Sequence, residues 1–377
     1  MSGRRCSFFC PMKHQIRLHF AGSLLLFRAF LLGIFLCLLS CCGVLSSFAQ
    51  RQTGLFHTPQ KRAVRFRAME WNVENLYDTL HDEGFADEEF LPTAERRWNT
   101  PRYLHKQASL AKTILAAGGL QPVDLVALCE VENDSVVHFL CHRTRLARLG
   151  YHYVVTHSAD RRGIDVSLLY QPETFAYLHS ETRRVPYDAA RERPTRDLLH
   201  VAGRLPHGDT LDVFVVHFPS RRGGVAASEP YRLRAAQLLR EMADSIAHLR
   251  HRPLLLAMGD FNDEPQNRSI REALSPTFIA LTPHATPLPA EGHEDIAGTY
   301  YFRGEWSRID QMLVSPALLS SEMPFHTSIR SVFLLAFPPL LEPLGRGTLT
   351  KPFRSYLGPF YHGGISDHLP LVADFFY

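Results

Sequence analysis

Apolar positions follow two periods along the chain. Residues 64–73, "VRFRAMEWNV", alternate apolar and polar side chains, as a half-buried strand does. Further apolar strand-like runs are 123–131 "VDLVALCEV", 211–218 "LDVFVVHF", 252–261 "RPLLLAMGDF" and 308–315 "RIDQMLVS". Some strand pairs are separated by short turns, as in "LLYQPETFAYL", so the sheets should be mixed rather than purely parallel.

Two segments instead have helical periodicity. Residues 102–118 end at Gly118-Gly119, a helix stop signal, and residues 230–249 open on Pro230. The Pro- and Gly-rich segments 282–299 and 336–364 are predicted to be long loops. The alternation of strands and helices predicts an α/β (α+β) protein.

The N-terminus has a pattern of its own. Residues 22–45 are apolar apart from Arg28 and follow Lys13 and Arg17. Ser47-Phe48-Ala49 fits a small-x-small cleavage site, so residues 1–49 are predicted to be a secretory signal peptide. "LLSC" also resembles a lipoprotein box with Cys41 as the lipidated residue, and a retained membrane anchor is a third alternative.

Residues 50–63 are polar and patternless, and we interpret them as a linker to a folded domain over 64–377. The composition, 45% hydrophobic and 21% charged with a net charge of +3, is that of an ordinary globular protein. Beyond the predicted leader only Cys129 and Cys141 remain. Two cysteines exclude a disulfide framework or a cysteine-rich zinc site.

Polar side chains interrupt or follow the apolar runs at several strand ends. They are Asn72 and Asn75 in "WNVEN", Glu130 in "LCEVEN", His217 in "HFPSRRGG", Asp260 and Asn262 in "GDFNDEP", Asp310 in "SRIDQM", and Asp367 and His368 in "SDHLP". Because strand ends can meet at one edge of a sheet, we expect these side chains to form one site. Carboxylate, amide and imidazole groups without thiolates favour Mg²⁺ or Mn²⁺.

These motifs and their order resemble the endonuclease/exonuclease/phosphatase superfamily of metal-dependent phosphoesterases. The resemblance spans residues 71–370. It implies a four-layer sandwich of two mixed β-sheets face to face, flanked by helices, with the site at one edge.

The same resemblance implies roles for individual residues. Glu130 and Asn72 would bind the metal, with Asp367 close to it. His217 would hydrogen-bond a phosphate oxygen, Asp260 and Asn262 would act on the attacking water, and Asp310 would orient His368. Whether Asp260 or the Asp310–His368 pair is the general base stays open.

Basic and aromatic residues supply further candidates for binding substrate. Arginine matches phosphate geometry, so Arg196, Arg221 and Arg222, with Arg191 and Arg193, are candidate phosphate contacts or a solvated charge run. Trp306, Tyr356 and Tyr361 would stack on bases or pack the loops.

Two enzymatic functions and one non-enzymatic function are compatible with these motifs. The first is an exported, monomeric nuclease acting on nucleic acid without an obligatory protein partner. The second is a phosphatase or phosphodiesterase acting on a small-molecule or lipid phosphate. A non-catalytic binding module would require a broken ligand set, and none of the expected positions is substituted.

Overall fold

The computed structural model describes residues 65–188, 192, 194–289, 291–345 and 349–377. The predicted signal peptide (1–49) and linker (50–63) lie outside the described residues and stay predictions. Within the described part of the chain, no helix is long and apolar enough to cross a membrane.

The regular structure of these residues consists of three α-helices, nineteen strands and six short 3-10 or π-helical turns. The helices are α1 (Thr100–Gly118), α2 (Asp134–Arg143) and α3 (Val225–Leu249). The strands are β1 (Arg65–Leu76), β2 (Leu125–Val131), β3 (His152–Val155), β4 (Asp165–Tyr170), β5 (Ala176–Arg183), β6 (Leu198–Arg204), β7 (Thr210–His217), β8 (Leu254–Asp260), β9 (Ile279–Ala280), β10 (Thr286–Leu288), β11 (Tyr300–Phe302), β12 (Glu305–Ser307), β13 (Asp310–Val314), β14 (His326–Leu335), β15 (Leu341–Pro343), β16 (Thr350–Pro352), β17 (Tyr356–Leu357), β18 (Phe360–Tyr361) and β19 (Leu371–Phe376).

Two large sheets contain most of these strands. A seven-stranded sheet has the order β10-β14-β19-β1-β2-β4-β3, and a six-stranded sheet has the order β5-β6-β7-β8-β13-β9. Both are mixed, because β1 pairs parallel to β2 and antiparallel to β19, and β8 pairs parallel to β7 and antiparallel to β13. This confirms the mixed topology expected from the short turns.

The strand β8 shows how the layers assemble. Leu254, Leu256 and Met258 point into the core shared by the two sheets, and the alternate Leu255 and Ala257 pack under α3. The helices α1 and α2 contribute apolar side chains to the core of the seven-stranded sheet. The result is helix, sheet, sheet, helix, which confirms the four-layer sandwich.

Two local predictions were wrong. The helix α3 begins at Val225, so Pro230 lies inside it rather than at its start, at the cost of one backbone hydrogen bond. The segments 282–299 and 336–364 contain the short strands β10 and β15 to β18 as well as loops. Strands of two or three residues are too short to produce a readable periodicity.

Candidate active site

Three candidate residues form a row across the six-stranded sheet. His217 on β7 is paired in register with Asp260 on β8, and Asp260 is paired with Asp310 on β13. All three side chains lie on the strand face that also carries the core residues between the two sheets. They therefore point into the space between the sheets, at one edge. The Nε2 atom of His217 lies 3.5 Å from the Oδ2 atom of Asp260.

Gly259 makes the close approach of β7 and β8 possible. Its φ is +144°, and a Cβ atom there would lie 1.9 Å from the carbonyl oxygen of Val216. The glycine before Asp260 is therefore required by the packing of the neighbouring strand.

The loop that carries His368 is attached to β1 from the other sheet. The Trp71 indole donates to the carbonyl oxygen of His368 over 2.9 Å, and the Ser366 hydroxyl donates to the Asn72 carbonyl over 2.7 Å. The Nδ1 atom of His368 lies 2.8 Å from the Oδ2 atom of Asp310. The structure thus brings together the two residues that the resemblance had paired.

Asn72 and Glu130 stand at irregular ends of the neighbouring strands β1 and β2. The β1–β2 register shifts between Asn72 and Leu76, and the β2–β4 register shifts around Glu130. Glu130 has a φ of +66° and Asn75 one of +55°, uncommon values for residues other than glycine. The Asn75 N–H donates to the Glu130 carboxylate over 2.9 Å, and the Asn72 side chain donates to Asp260 over 3.1 Å.

Burial and charge shift the pKa values of the central groups in opposite directions. Burial and the adjacent Asp310 carboxylate raise the pKa of Asp260 to about 7. Burial lowers the pKa of His217 well below its usual range, and Arg196 and Arg162 lower it further. Burial opposes the charge on His368, but the Asp310 and Asp367 carboxylates prevail and raise its pKa to about 10. At neutral pH the site holds a neutral and a positively charged imidazole.

The structure separates the arginine candidates. Arg196 is buried, and its guanidinium donates to Asp160 over 3.1 Å and to the Phe218 carbonyl. The guanidinium is therefore paired within the protein, and the phosphate contact at Arg196 stays a prediction. Arg221 is half-buried and donates to the carbonyl of Asn262 over 2.7 Å.

Arg222 is exposed and has no side-chain partner among the described residues. Arg191 and Arg193 lie outside the described residues.

Asp367 and Asn262 are both held by hydrogen bonds. Asp367 accepts from Arg354 over 3.0 Å and lies 4.0 Å from the His368 ring. The Asn262 amide donates to the Phe218 carbonyl over 3.0 Å, and its backbone N–H donates to Asp260 over 2.8 Å.

The aromatic candidates pack the loops. Tyr356 is buried and its hydroxyl donates to the Arg96 carbonyl, and Tyr361 lies under the Arg102 guanidinium, 4.4 Å from its ring centroid. Trp306 is half-buried against Tyr301. Of the two alternatives for these rings, the structure favours packing over base stacking.

Two buried carboxylates beside the site were missed from the sequence. Glu70 is fully buried between the sheets with no N–H or hydroxyl donor for either carboxylate oxygen, and burial and the adjacent Asp310 raise its pKa well above the usual range. Glu74 accepts from the Ser355 N–H over 2.7 Å and lies 3.4 Å from Arg354. Strand alternation could have revealed Glu70, because it stands two residues before Asn72.

The donor set fits a hard divalent cation. Glu70, Asp260 and Asp310 bring three carboxyl groups into the buried space, and one oxygen of Asp310 has no hydrogen-bond partner. The Glu130 carboxylate accepts one backbone N–H and lies 3.6 Å from Arg162, and the Asn72 amide oxygen accepts one N–H and keeps a second lone pair. In the part of the chain described, Asp260, Asp310 and His368 also lie close enough to share an ion, but the positive charge on His368 opposes binding of a cation there.

This fold and this cluster define a class of protein, the metal-assisted hydrolase built on a two-sheet sandwich. A family model described as the Endonuclease/Exonuclease/phosphatase family matches residues 68–375, and the chain belongs to this family. Members of this family hydrolyse phosphate esters and depend on a divalent metal ion. This protein is therefore a hydrolase of phosphate ester bonds. No significant match to a curated protein was found.

Solved structures share the fold at low sequence identity. An endonuclease/exonuclease/phosphatase family protein from Bacteroides thetaiotaomicron has a TM-score of 0.53 and 14% identity, covering 84% of this chain and 99% of its own. A mannosyl-6-phosphatase from Bacteroides thetaiotaomicron VPI-5482 has a TM-score of 0.52 and 14% identity, covering 83% and 100%. D. rerio TDP2, complexed with a single-strand DNA product, has a TM-score of 0.50 and 16% identity, covering 82% and 98%.

Proposed function

We propose that the protein is an exported, Mg²⁺-dependent nuclease that acts as a monomer and hydrolyses phosphodiester bonds by in-line attack of water. One observation carries this proposal. The in-register row of His217, Asp260 and Asp310 faces the His368 loop at the sheet edge where Asn72 and Glu130 also end. Such a set supplies proton acceptors and donors around one phosphate.

Each side chain has a task that follows from its contacts. Asp260, held by the Asn72 amide and the Asn262 N–H, orients the attacking water and accepts its proton. His368, fixed to Asp310 through Nδ1, presents Nε2 as a donor to a phosphate oxygen. His217 donates to another non-bridging oxygen.

When bound by Glu130 and Asn72, with Asp367 near, Mg²⁺ (or Mn²⁺) would supply the positive charge that neutralises the phosphate. The Arg162 guanidinium, 3.6 Å from Glu130, adds positive charge at the same place. These charges offset the negative oxygens around the reacting phosphorus.

A phosphatase acting on a small-molecule phosphate is the second candidate. It is favoured by the similarity to the mannosyl-6-phosphatase fold, and TDP2 with its DNA product favours the nuclease. Both enzymes would use the same chemistry on different substrates.

The test is hydrolysis by the purified chain from Gln50 onward. Its substrates are supercoiled plasmid, a single-stranded oligonucleotide and mannose 6-phosphate, each with Mg²⁺ and with EDTA. We expect cleavage of the nucleic acids with Mg²⁺, none with EDTA, and none by Asp260→Asn. Release of phosphate from mannose 6-phosphate with intact nucleic acids would establish the phosphatase instead.

Export is proposed on the basic, apolar and small-residue order of residues 1–49. Mass spectrometry of the full-length product expressed in a bacterial host should find a periplasmic or extracellular chain beginning near Gln50. A lipid on Cys41, lost in Cys41→Ala, would establish the anchored form, and an unprocessed cytoplasmic chain would refute export.

A further inference from the structure

A cavity of about 480 Å³ opens beside the candidate active site. Tyr187 and Tyr231 are among the residues that line it, each more than a third exposed. The volume lies within the range of cavities that hold a small ligand.

The lining of this cavity has an excess of positive charge. Among the described residues it contains five arginines and two carboxylates. Both carboxylates are already paired, Asp160 with Arg196 over 3.1 Å and Glu192 with Arg234 over 2.6 Å. Arg161 and Arg222 are exposed, and neither side chain has a partner in the described part of the chain. Two free guanidinium groups in one cavity favour an anion.

Arg162 connects the cavity to the reacting centre. It lines the cavity, and its guanidinium lies 3.5 Å from Asp160 and 3.6 Å from the Glu130 carboxylate. The Phe218 carbonyl is a second connection, because it accepts from Arg196 in the cavity wall and from Asn262 in the site. When a substrate phosphate binds at Glu130, the part of the substrate next to that phosphate would therefore lie in this cavity.

We propose that the cavity binds the nucleotide adjacent to the scissile phosphate of a nucleic-acid strand. Arg161 and Arg222 bind the neighbouring phosphate, and the exposed rings of Tyr187 and Tyr231 contact the base. This inference rests on the proposed nuclease function and adds a subsite that binds the nucleotide next to the scissile phosphate. Base–aromatic contacts tolerate any sequence, so the subsite recognises the chain rather than a particular base.

The test compares two substrates of the purified chain from Gln50 onward. One is a single-stranded tetranucleotide, and the other is bis(p-nitrophenyl) phosphate, which has no second phosphate. The double variant Arg161→Ala with Arg222→Ala should lower the ratio of kcat/KM for the tetranucleotide to that for the small ester at least about tenfold, as expected when charged hydrogen bonds are removed. Arg330→Ala, an exposed arginine on β14, is the matched control and should leave the ratio unchanged.

The salt dependence of the affinity for the tetranucleotide is a second measurement. It would not change if Arg161 and Arg222 had only a structural role. Removing one phosphate contact on a single strand should reduce the slope of log affinity against log salt by about 0.7. Arg222→Lys, which keeps the charge, should keep most of that slope.

The outcomes distinguish a failure of the proposed subsite from a failure of the proposed nuclease function. If the wild type cleaves the tetranucleotide and the double variant leaves both the ratio and the salt slope unchanged, the subsite is refuted and the nuclease function stands. If the wild type hydrolyses only the small ester, the nuclease function fails and the subsite fails with it.

Discussion

The two sheets contribute to the candidate site in different ways. In the six-stranded sheet β7, β8 and β13 pair without a shift of register, and His217, Asp260 and Asp310 lie side by side, although Gly259 and Asn262 near Asp260 have a positive φ. In the seven-stranded sheet the register shifts at Asn72 and around Glu130, and the backbone at Glu74, Asn75 and Glu130 has a positive φ.

This difference matches the chemistry proposed for each sheet. Proton transfer needs groups at fixed hydrogen-bond distances, and a regular ladder fixes them. A cation needs oxygens aimed from several directions at one point, and bulges redirect side chains out of the regular alternation. We infer that the regular sheet holds the acid–base groups and the irregular sheet holds the metal ligands.

The largest expected effect is at Asp260. Asp260→Asn keeps the shape of the side chain but removes the proton acceptor, so kcat should fall about 10³-fold with little change in KM or melting temperature. Steady-state kinetics and thermal melting test this. Asp209→Asn, in the turn at the opposite end of β7, is the control. A wild-type kcat in Asp260→Asn would show that the row of His217, Asp260 and Asp310 does not act in the reaction as proposed.

Glu130→Gln should weaken metal binding, which is the contribution proposed for the seven-stranded sheet. Removing the carboxylate lowers the affinity for Mg²⁺, so we expect a loss of about 100-fold at low Mg²⁺ and partial recovery at high Mg²⁺. Titration of activity with Mg²⁺ measures this, with the exposed Glu305→Gln as control. A loss that does not depend on Mg²⁺ would contradict metal binding at Glu130.

The smallest effect concerns the backbone at Asn75. Asn75→Val places a branched side chain at a φ of +55° and should destabilise the fold by about 1–2 kcal/mol. Asn75→Gly suits this conformation and should leave stability nearly unchanged. Chemical denaturation of both variants measures the difference. Equal stability of the two would show that the bulge relaxes without cost.

The candidate residues were predictable because each stands at the end of an apolar run. Apolar periodicity reports which face of a strand is buried, so Asn72, Asp260 and Asp310 could be assigned to strand ends from spacing alone. The four-layer arrangement followed from the order of the motifs through the resemblance.

Whether each candidate arginine is buried or exposed was decided only by the tertiary structure. Arg196 and Arg222 have the same side chain and similar polar neighbours in sequence, yet one is buried against Asp160 and the other is exposed at a cavity. The difference arises from strands and loops far apart in the chain, which no local pattern encodes.

Gly259 illustrates the same division between sequence and tertiary structure. The sequence by itself determined the strands, their buried faces and the polar residues at their ends, because hydrophobic burial acts on a local repeat. Only the tertiary structure decided that the carbonyl of Val216 leaves no room for a Cβ atom at Gly259, and that Asp310 meets His368 58 positions away. Register and contact between distant strands depend on the packing of the whole sandwich, and that is the physical reason the sequence pattern could not show them.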